Sequence, residues 1–318
     1  MKKTGFSIPA NFLNLSITSR IVLVIILTFT FGCNKNSTGN GNGGKVGGAL
    51  LTKVVTVGYN ATNGVVDSSV VTISYNGQKY IIETFQIEII HTPSITEIDS
   101  FTTFYTYNGS LVSSAAQTIS TQSDVSNLSP YGVDEQLNTV FSVMGGEITS
   151  LNQNGLITSY GINPPQNGIL EYYGVLMYNT DSTVSSFTVT STTNGTFSPL
   201  YKQTFTYSGN NLAGYILTNT NPAAPGSTTA TYTYNGHASA APFYNVIPGI
   251  NLPSANDVSE LQLVQIGGLY PGTTTYTYNS TYNATNQPSV SSVTVSTTVT
   301  SSAFLALTPV TETINYYY

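Results

Sequence analysis

Phe104-Tyr105-Thr106-Tyr107-Asn108-Gly109 holds two structural signals in one short phrase. Tyr105, Thr106 and Tyr107 alternate aromatic and hydroxyl side chains, and a period of two sends neighbours to opposite faces of a pleated strand. Asn108-Gly109 then offers the positive φ angles of a type I′ turn, whose twist suits a two-residue hairpin. The phrase recurs along the chain. Val71-Thr72-Ile73-Ser74-Tyr75 runs into Asn76-Gly77, Phe205-Thr206-Tyr207 into Ser208-Gly209, and Tyr232-Thr233-Tyr234 into Asn235-Gly236. Shorter copies end at Tyr59-Asn60, Tyr178-Asn179 and Tyr278-Asn279. Steps of 32 residues (Tyr75 to Tyr107), 29 (Tyr178 to Tyr207) and 27 (Tyr207 to Tyr234) each fit one hairpin with its connections.

Alternation resumes after the turns, as in Leu212-Ala213-Gly214-Tyr215-Ile216-Leu217. The expected class is all-β: a large meandering antiparallel sheet of hairpins, curled or barrel-like, with few or no helices. Asp134 to Met144 offers the clearest helix pattern, after Pro130 and before Gly145-Gly146. Loops at Asn163 to Gly168 and Asn221 to Gly226 separate strand runs. The uneven steps exclude a strict solenoid or propeller.

Lys2, Lys3 and Arg20 precede an apolar run from Ile21 that ends at Gly32-Cys33. Basic residues, a short apolar run and a small residue at the cut describe a secretory leader. The run is about twelve residues, against roughly twenty for a spanning helix. Cys33 is the chain's single cysteine, so no disulfide partner exists for it. Its place after the run resembles the lipobox of bacterial lipoproteins, which implies diacylation of Cys33 and cleavage before it. Thr30 and Phe31 depart from the usual residues of that box. Asn34 to Gly44 is rich in Gly, Asn and Ser, the composition of a flexible tether. The expected organisation is a leader over 1–32, an acylated cysteine and tether over 33–49, and one β-sheet domain over 50–318.

Three of the eight basic residues fall in the leader, so five lysines face 14 acidic residues and the mature charge is −9. An acidic chain without arginine lacks the counter-charge that nucleic acid or anionic lipid requires. Only 7% of residues are charged, while there are 23 Tyr and no Trp. Abundant Tyr, Thr and Val suits half-buried pleated surfaces.

His91, His237 and the lone Cys33 provide no zinc-type spacing, so no metal or cofactor is expected. Glu83, Glu88, Glu97 and Asp99 cluster in sequence. Glu97 and Asp99 share a strand face, as a carboxylate pair or half a calcium site would. The competing use is a solvated face that protects an edge strand. No Gly-x-Ser-x-Gly elbow or phosphate loop is present, and no catalytic residue is assigned. Tyrosine is the better binding candidate, because rows of phenol rings stack on sugars at small entropic cost. The candidates are Tyr105, Tyr107, Tyr207, Tyr232, Tyr234, Tyr276 and Tyr278. The same rows also stabilise cross-strand pairs.

Tyr232-Thr233-Tyr234-Asn235-Gly236 leads to Pro242-Phe243-Tyr244-Asn245 and Pro248-Gly249-Ile250-Asn251-Leu252-Pro253. Thr275-Tyr276-Thr277-Tyr278-Asn279 and Pro288-Ser289-Val290 follow. This succession resembles the YD or RHS-type repeat. It is more similar to a group of Bacteroidota lipoproteins with a porin-superfamily-like β fold. The resemblance spans roughly residues 50 to 318 and implies a β fold and export, but no activity. The expectation is a non-enzymatic outer-membrane lipoprotein, periplasmic or surface-facing. Its membrane contact would be the lipid on Cys33, its ligand a glycan, peptide or protein, and nucleic acid is excluded. An integral outer-membrane barrel and, behind it, a carbohydrate-active hydrolase are the alternatives. The aromatic end Tyr316-Tyr317-Tyr318 favours the barrel, while a Thr-rich outward face opposes it.

Overall fold

A computed structural model describes residues 50–61, 64–91, 96–123, 148–154, 156–162, 171–193, 196–219, 226–240, 255–267, 271–300 and 309–318. The leader, Cys33, the tether, the helical pattern at 134–144 and the loop at 163–168 lie outside the described residues, as does most of that at 221–226. Strands β1 (Lys53–Asn60), β2 (Gly64–Tyr75), β3 (Ile81–His91), β4 (Thr96–Asn108) and β5 (Leu111–Ser123) come first. Then follow β6 (Ile148–Leu151), β7 (Ile157–Ile162), β8 (Glu171–Tyr178), β9 (Val184–Thr193), β10 (Thr196–Ser208) and β11 (Asn211–Asn219). The last are β12 (Gly226–Ala238), β13 (Asn256–Gly267), β14 (Gly272–Tyr282), β15 (Pro288–Thr297) and β16 (Thr311–Tyr317). The described residues contain no helix.

All sixteen strands belong to one antiparallel meander. The first strand pairs with the last, from Lys53 opposite Tyr317 to Tyr59 opposite Thr311. That seam leaves β5 and β6 as the ends of the ladder, which approach one another without pairing, so the sheet is nearly closed into a barrel. Closure suits long Tyr/Val/Thr strands because it removes most of the edge that would otherwise template aggregation.

Alternation separates inside from outside. On β14, Thr274, Tyr276 and Tyr278 are buried while Thr277 and Asn279 are exposed. On β15, Ser291, Val293 and Val295 point in, and Ser292, Thr294 and Ser296 point out. Tyr215, Tyr276, Phe187, Ile157, Leu261 and Leu263 are the largest fully buried core side chains of the strands. At about 25 cal/mol per Å², each such side chain contributes roughly 1.5–3 kcal/mol by leaving water.

The first quarter of the sheet departs from the Thr-rich outward face expected from sequence. Register puts Val55, Val70, Ile87 and Ser100 in one outward row, and Val57, Ser68, Ile89 and Ile98 in the next. Phe85 and the exposed Phe104 extend this surface. The opposite face of β3 and β4 carries Thr84, Gln86 and the buried Thr103. On β3 polarity is inverted relative to β14 and β15, while β4 keeps the buried Tyr105 on its inner face.

The turn chemistry also differs from the type I′ expectation. Asn108 pairs with Leu111 and Ser208 with Asn211, so the loops are Gly109-Ser110 and Gly209-Asn210. Only the glycine of each loop has positive φ, 64° and 58°, which is the type II′ pattern. After Asn76 the turn is longer, and the positive φ falls on Lys79 rather than Gly77. The Asn76 side-chain oxygen accepts from the Gln78 and Tyr80 amides, an Asx turn that replaces the glycine device. Tyr278-Asn279 lies inside β14, whose turn follows Tyr282, while Tyr59-Asn60 lies at the opposite end of the barrel. Asn235-Gly236 makes no tight hairpin, because β12 continues to Ala238.

Candidate functional site

At one end of the barrel each even-numbered strand from β2 to β14 finishes beside a β-bulge. Register shifts fall at Ser74/Tyr75, Thr106/Tyr107, Ser150/Leu151, Met177/Tyr178, Thr206/Tyr207, Thr233/Tyr234 and Thr281/Tyr282. A bulge bends its strand and sharpens the twist, turning the terminal side chain along the rim. The phenols use that direction. Tyr75 donates to the Leu51 carbonyl at 2.7 Å, Tyr107 to Ile81 at 2.6 Å and Tyr178 to Ile157 at 2.6 Å. Tyr207 donates to Val184 at 2.6 Å, Tyr234 to Leu212 at 2.6 Å and Tyr318 to Pro288 at 2.8 Å. Each bond ties the end of one strand to the start of the preceding one. A belt of clasps therefore follows the rim, each contributing about 1 kcal/mol.

The belt explains the tyrosine-rich phrase. Among the candidates, Tyr107, Tyr207 and Tyr234 are clasps, half-buried with hydroxyls occupied. Tyr105, Tyr232, Tyr276 and Tyr278 point inward and are 1–6% exposed. Burial pushes the phenol pKa of each upward. Tyr232 stacks on Tyr234 at 6.3 Å, so one member of the phrase packs the core and the next closes the rim. These rings form the inner wall and its edge rather than a platform open from outside.

One clasp is different. Tyr282 donates not to a carbonyl but to Asp257 Oδ2, at 2.8 Å. Asn235 Nδ2 donates to the Tyr282 hydroxyl at 2.7 Å and to Asp257 Oδ2 at 3.3 Å. His237 stacks face to face on the Tyr282 ring, 3.7 Å between centroids and 15° between planes. Its Nδ1 lies 2.6 Å from Asn286 Oδ1. An amide oxygen only accepts, so Nδ1 is the donor of this bond. Asn286 sits in the left-handed region at φ 63°, which asparagine tolerates. Asn256 extends the network by donating to the His237 carbonyl at 3.4 Å and exchanging two 3.0 Å bonds with Asn211.

Asp257 is 6% exposed. Burial raises its pKa, opposed by hydrogen bonds from Tyr282, Ser280 and Asn235 and by the His237 charge. Tyr282 is pushed up to about 12 by burial and by the Asp257 carboxylate. A phenol held there keeps its proton at neutral pH. The cluster presents an exposed imidazole on an aromatic face, edged by four amides and backed by a buried carboxylate, a set suited to holding polar hydroxyls.

In the sequence His237 shows only the lack of a zinc-type spacing, and Asp257, Tyr282 and Asn286 carry no local signal. Asn235 and Asp257 are 22 residues apart, and His237 and Asn286 are 49 apart. No local spacing links them. His91 Nδ1 lies 3.1 Å from Thr96 Oγ1. Glu97 and Asp99 pair along β4, Asp99 with Glu88, and β4 lies between β3 and β5 rather than at an edge.

No protein-family model matches the chain, and no curated protein matches it. Among solved structures, the chain is similar to a porin-like protein from Bacteroides uniformis, with TM-score 0.47 and 14% identity over 84% of this chain and 96% of that one. It is also similar to a porin-like protein from Bacteroides vulgatus, with TM-score 0.36 and 11% identity over 84% of this chain and 98% of that one.

Proposed function

We propose that the chain is an envelope lipoprotein, anchored through Cys33, whose barrel binds a glycan at the rim cluster and does not catalyse. The observation that carries this reading is the Asp257–Tyr282 clasp with His237 stacked upon it. An aromatic stack edged by carboxylate and amide groups recognises sugars through ring contact and paired hydroxyl bonds. Holding is favoured over turnover because the Tyr282 proton is tightly bound and His237 Nδ1 is tied to an amide rather than to a carboxylate. Thr- and Ser-rich outward faces on β14 and β15 suit water, whereas a spanning barrel needs an apolar band about 25 Å tall all round.

The test is a glycan and peptide array probed with the full detergent-extracted chain beside its His237→Ala and Asp257→Asn variants. Retention of a sugar by the parent and at least tenfold weaker retention by both variants supports the reading. Peptide-only retention, equal signals from all three, or silence for the parent overturns it.

A further inference from the structure

The inverted quarter of the barrel is the surface that the rim cluster leaves unexplained. Its outward rows Val55-Val70-Ile87 and Val57-Ser68-Ile89-Ile98 are apolar but for Ser68 and turn away from the core. Phe104 beside them is 48% exposed. In β12, β14 and β15 the equivalent outward positions hold Thr, Ser and Asn, apart from Val290. An apolar cluster spread over four adjacent strands, denser than the exposed Ile216, Ile266 and Val290 on other strands, marks a contact site. Strand spacing of about 4.8 Å and side-chain rows about 6.8 Å apart make it roughly 14 by 20 Å, on the order of 300 Å².

We infer that this outward face of β1 to β4 docks on the lipid bilayer surface that the anchor holds beside it; the inference rests on the anchoring reading above. Two arguments select the bilayer. An area near 300 Å² falls well short of the roughly 800 Å² per partner of a stable protein interface, so a second copy is a poor occupant. The tether also leads directly into β1, the first strand of the patch. About twenty residues lie between Cys33 and Lys53, and a chain of that length and Gly/Asn composition reaches roughly 25 Å, so lipid on Cys33 would be at high effective concentration. Val, Ile and Phe side chains entering the headgroup and acyl boundary lose water contact, as on interfacial surfaces generally. With a mature charge of −9 the chain suits zwitterionic rather than anionic lipid. Docking would lay the barrel on its side, with the β1/β16 seam close to the membrane.

The chain contains no Trp, so a single introduced one reports its own surroundings. Phe85→Trp places it within the patch. Thr231→Trp places it on an exposed outward position of β12, seven strands away along the ladder. The full acylated chains are reconstituted in phosphatidylethanolamine and brominated phosphatidylcholine vesicles, and acylation is verified by intact mass. Phe85→Trp should be quenched at least threefold more than Thr231→Trp, and Ile87→Thr with Ile89→Thr should remove the difference. Equal quenching on an acylated chain overturns the docking face and leaves the anchor standing. A shielded, unquenched Phe85→Trp in a sedimenting dimer overturns it in favour of a second copy. A mass without acyl chains defeats the anchoring reading and with it this inference.

Discussion

The Tyr282 phenol donates to the Asp257 carboxylate across 2.8 Å, at a rim position where six other tyrosines donate to a backbone carbonyl. A side chain there places a titratable group in a belt that is otherwise neutral. Tyr282→Phe removes one of the bonds opposing the burial effect, so the Asp257 pKa should rise further. A group raised in the folded state contributes stability that is present below its unfolded value near 3.8 and lost as pH rises through its folded value. The variant should therefore lose more stability above that window than below it. Carboxyl carbon shifts followed through a pH titration give the answer, and an unmoved Asp257 titration would mean that the bond is idle.

The ordinary clasps make a simpler prediction. Tyr234→Phe keeps the ring and its 6.3 Å stacking on Tyr232 but deletes the 2.6 Å bond to Leu212. A loss of about 1 kcal/mol is expected, with a similar loss for Tyr207→Phe. Denaturant midpoints at constant m-value measure both.

Two glycines should separate sharply. A Cβ on Gly214 would collide with the Ala230 backbone carbonyl on the neighbouring strand, which cannot move without breaking the ladder. Gly214→Ala should cost at least 3 kcal/mol or prevent folding. A Cβ on Gly236 meets nothing within 4 Å, and Gly236→Ala should stay within about 0.5 kcal/mol. Thermal melts of the two variants decide it.

Glu312 lies inside at 2% exposure, and its Oε1 has no hydrogen-bond partner among the described residues. Burial raises its pKa from 4.5 to about 7. Below pH 4.5 it is protonated in both folded and unfolded states. Between pH 4.5 and 7 the unfolded chain ionises first, so stability falls by on the order of 3 kcal/mol and stays lower above that window. Glu312→Gln should flatten this fall and stabilise the barrel at pH 8. An unchanged pH–stability curve would rule Glu312 out as its source.

Cys33→Ser tests the anchor. The parent should remain with membranes after carbonate washing, and the variant should appear in the supernatant. Retention of the variant would instead favour a barrel embedded by its strands.

Much of the wall was legible from residues alone. Tyr-Thr-Tyr alternation predicts the strands β4, β12 and β14, and Phe205-Thr206-Tyr207 does the same for β10. The turns were less legible. Asn-Gly suits a type I′ loop, yet Asn108 is retained as the last ladder pair and Gly109 alone bends the chain, because the bulge at Tyr107 resets the register. The pairing of Tyr282 with Asp257 had no local sign, since it joins strands through a rim that exists only after closure.

Period-two alternation is a local property, so the chain's all-β character was already written in Tyr105, Thr106 and Tyr107. Which face of each strand turns inward is not local. On β14 the aromatic face is buried, whereas on β3 Phe85 and Ile87 face out. The pleat permits either side; register with Val71 and Ile73 on β2, themselves fixed by the β1/β16 seam, selects one. The same closure gave the tyrosines their division between core and clasp and brought Asp257 to Tyr282.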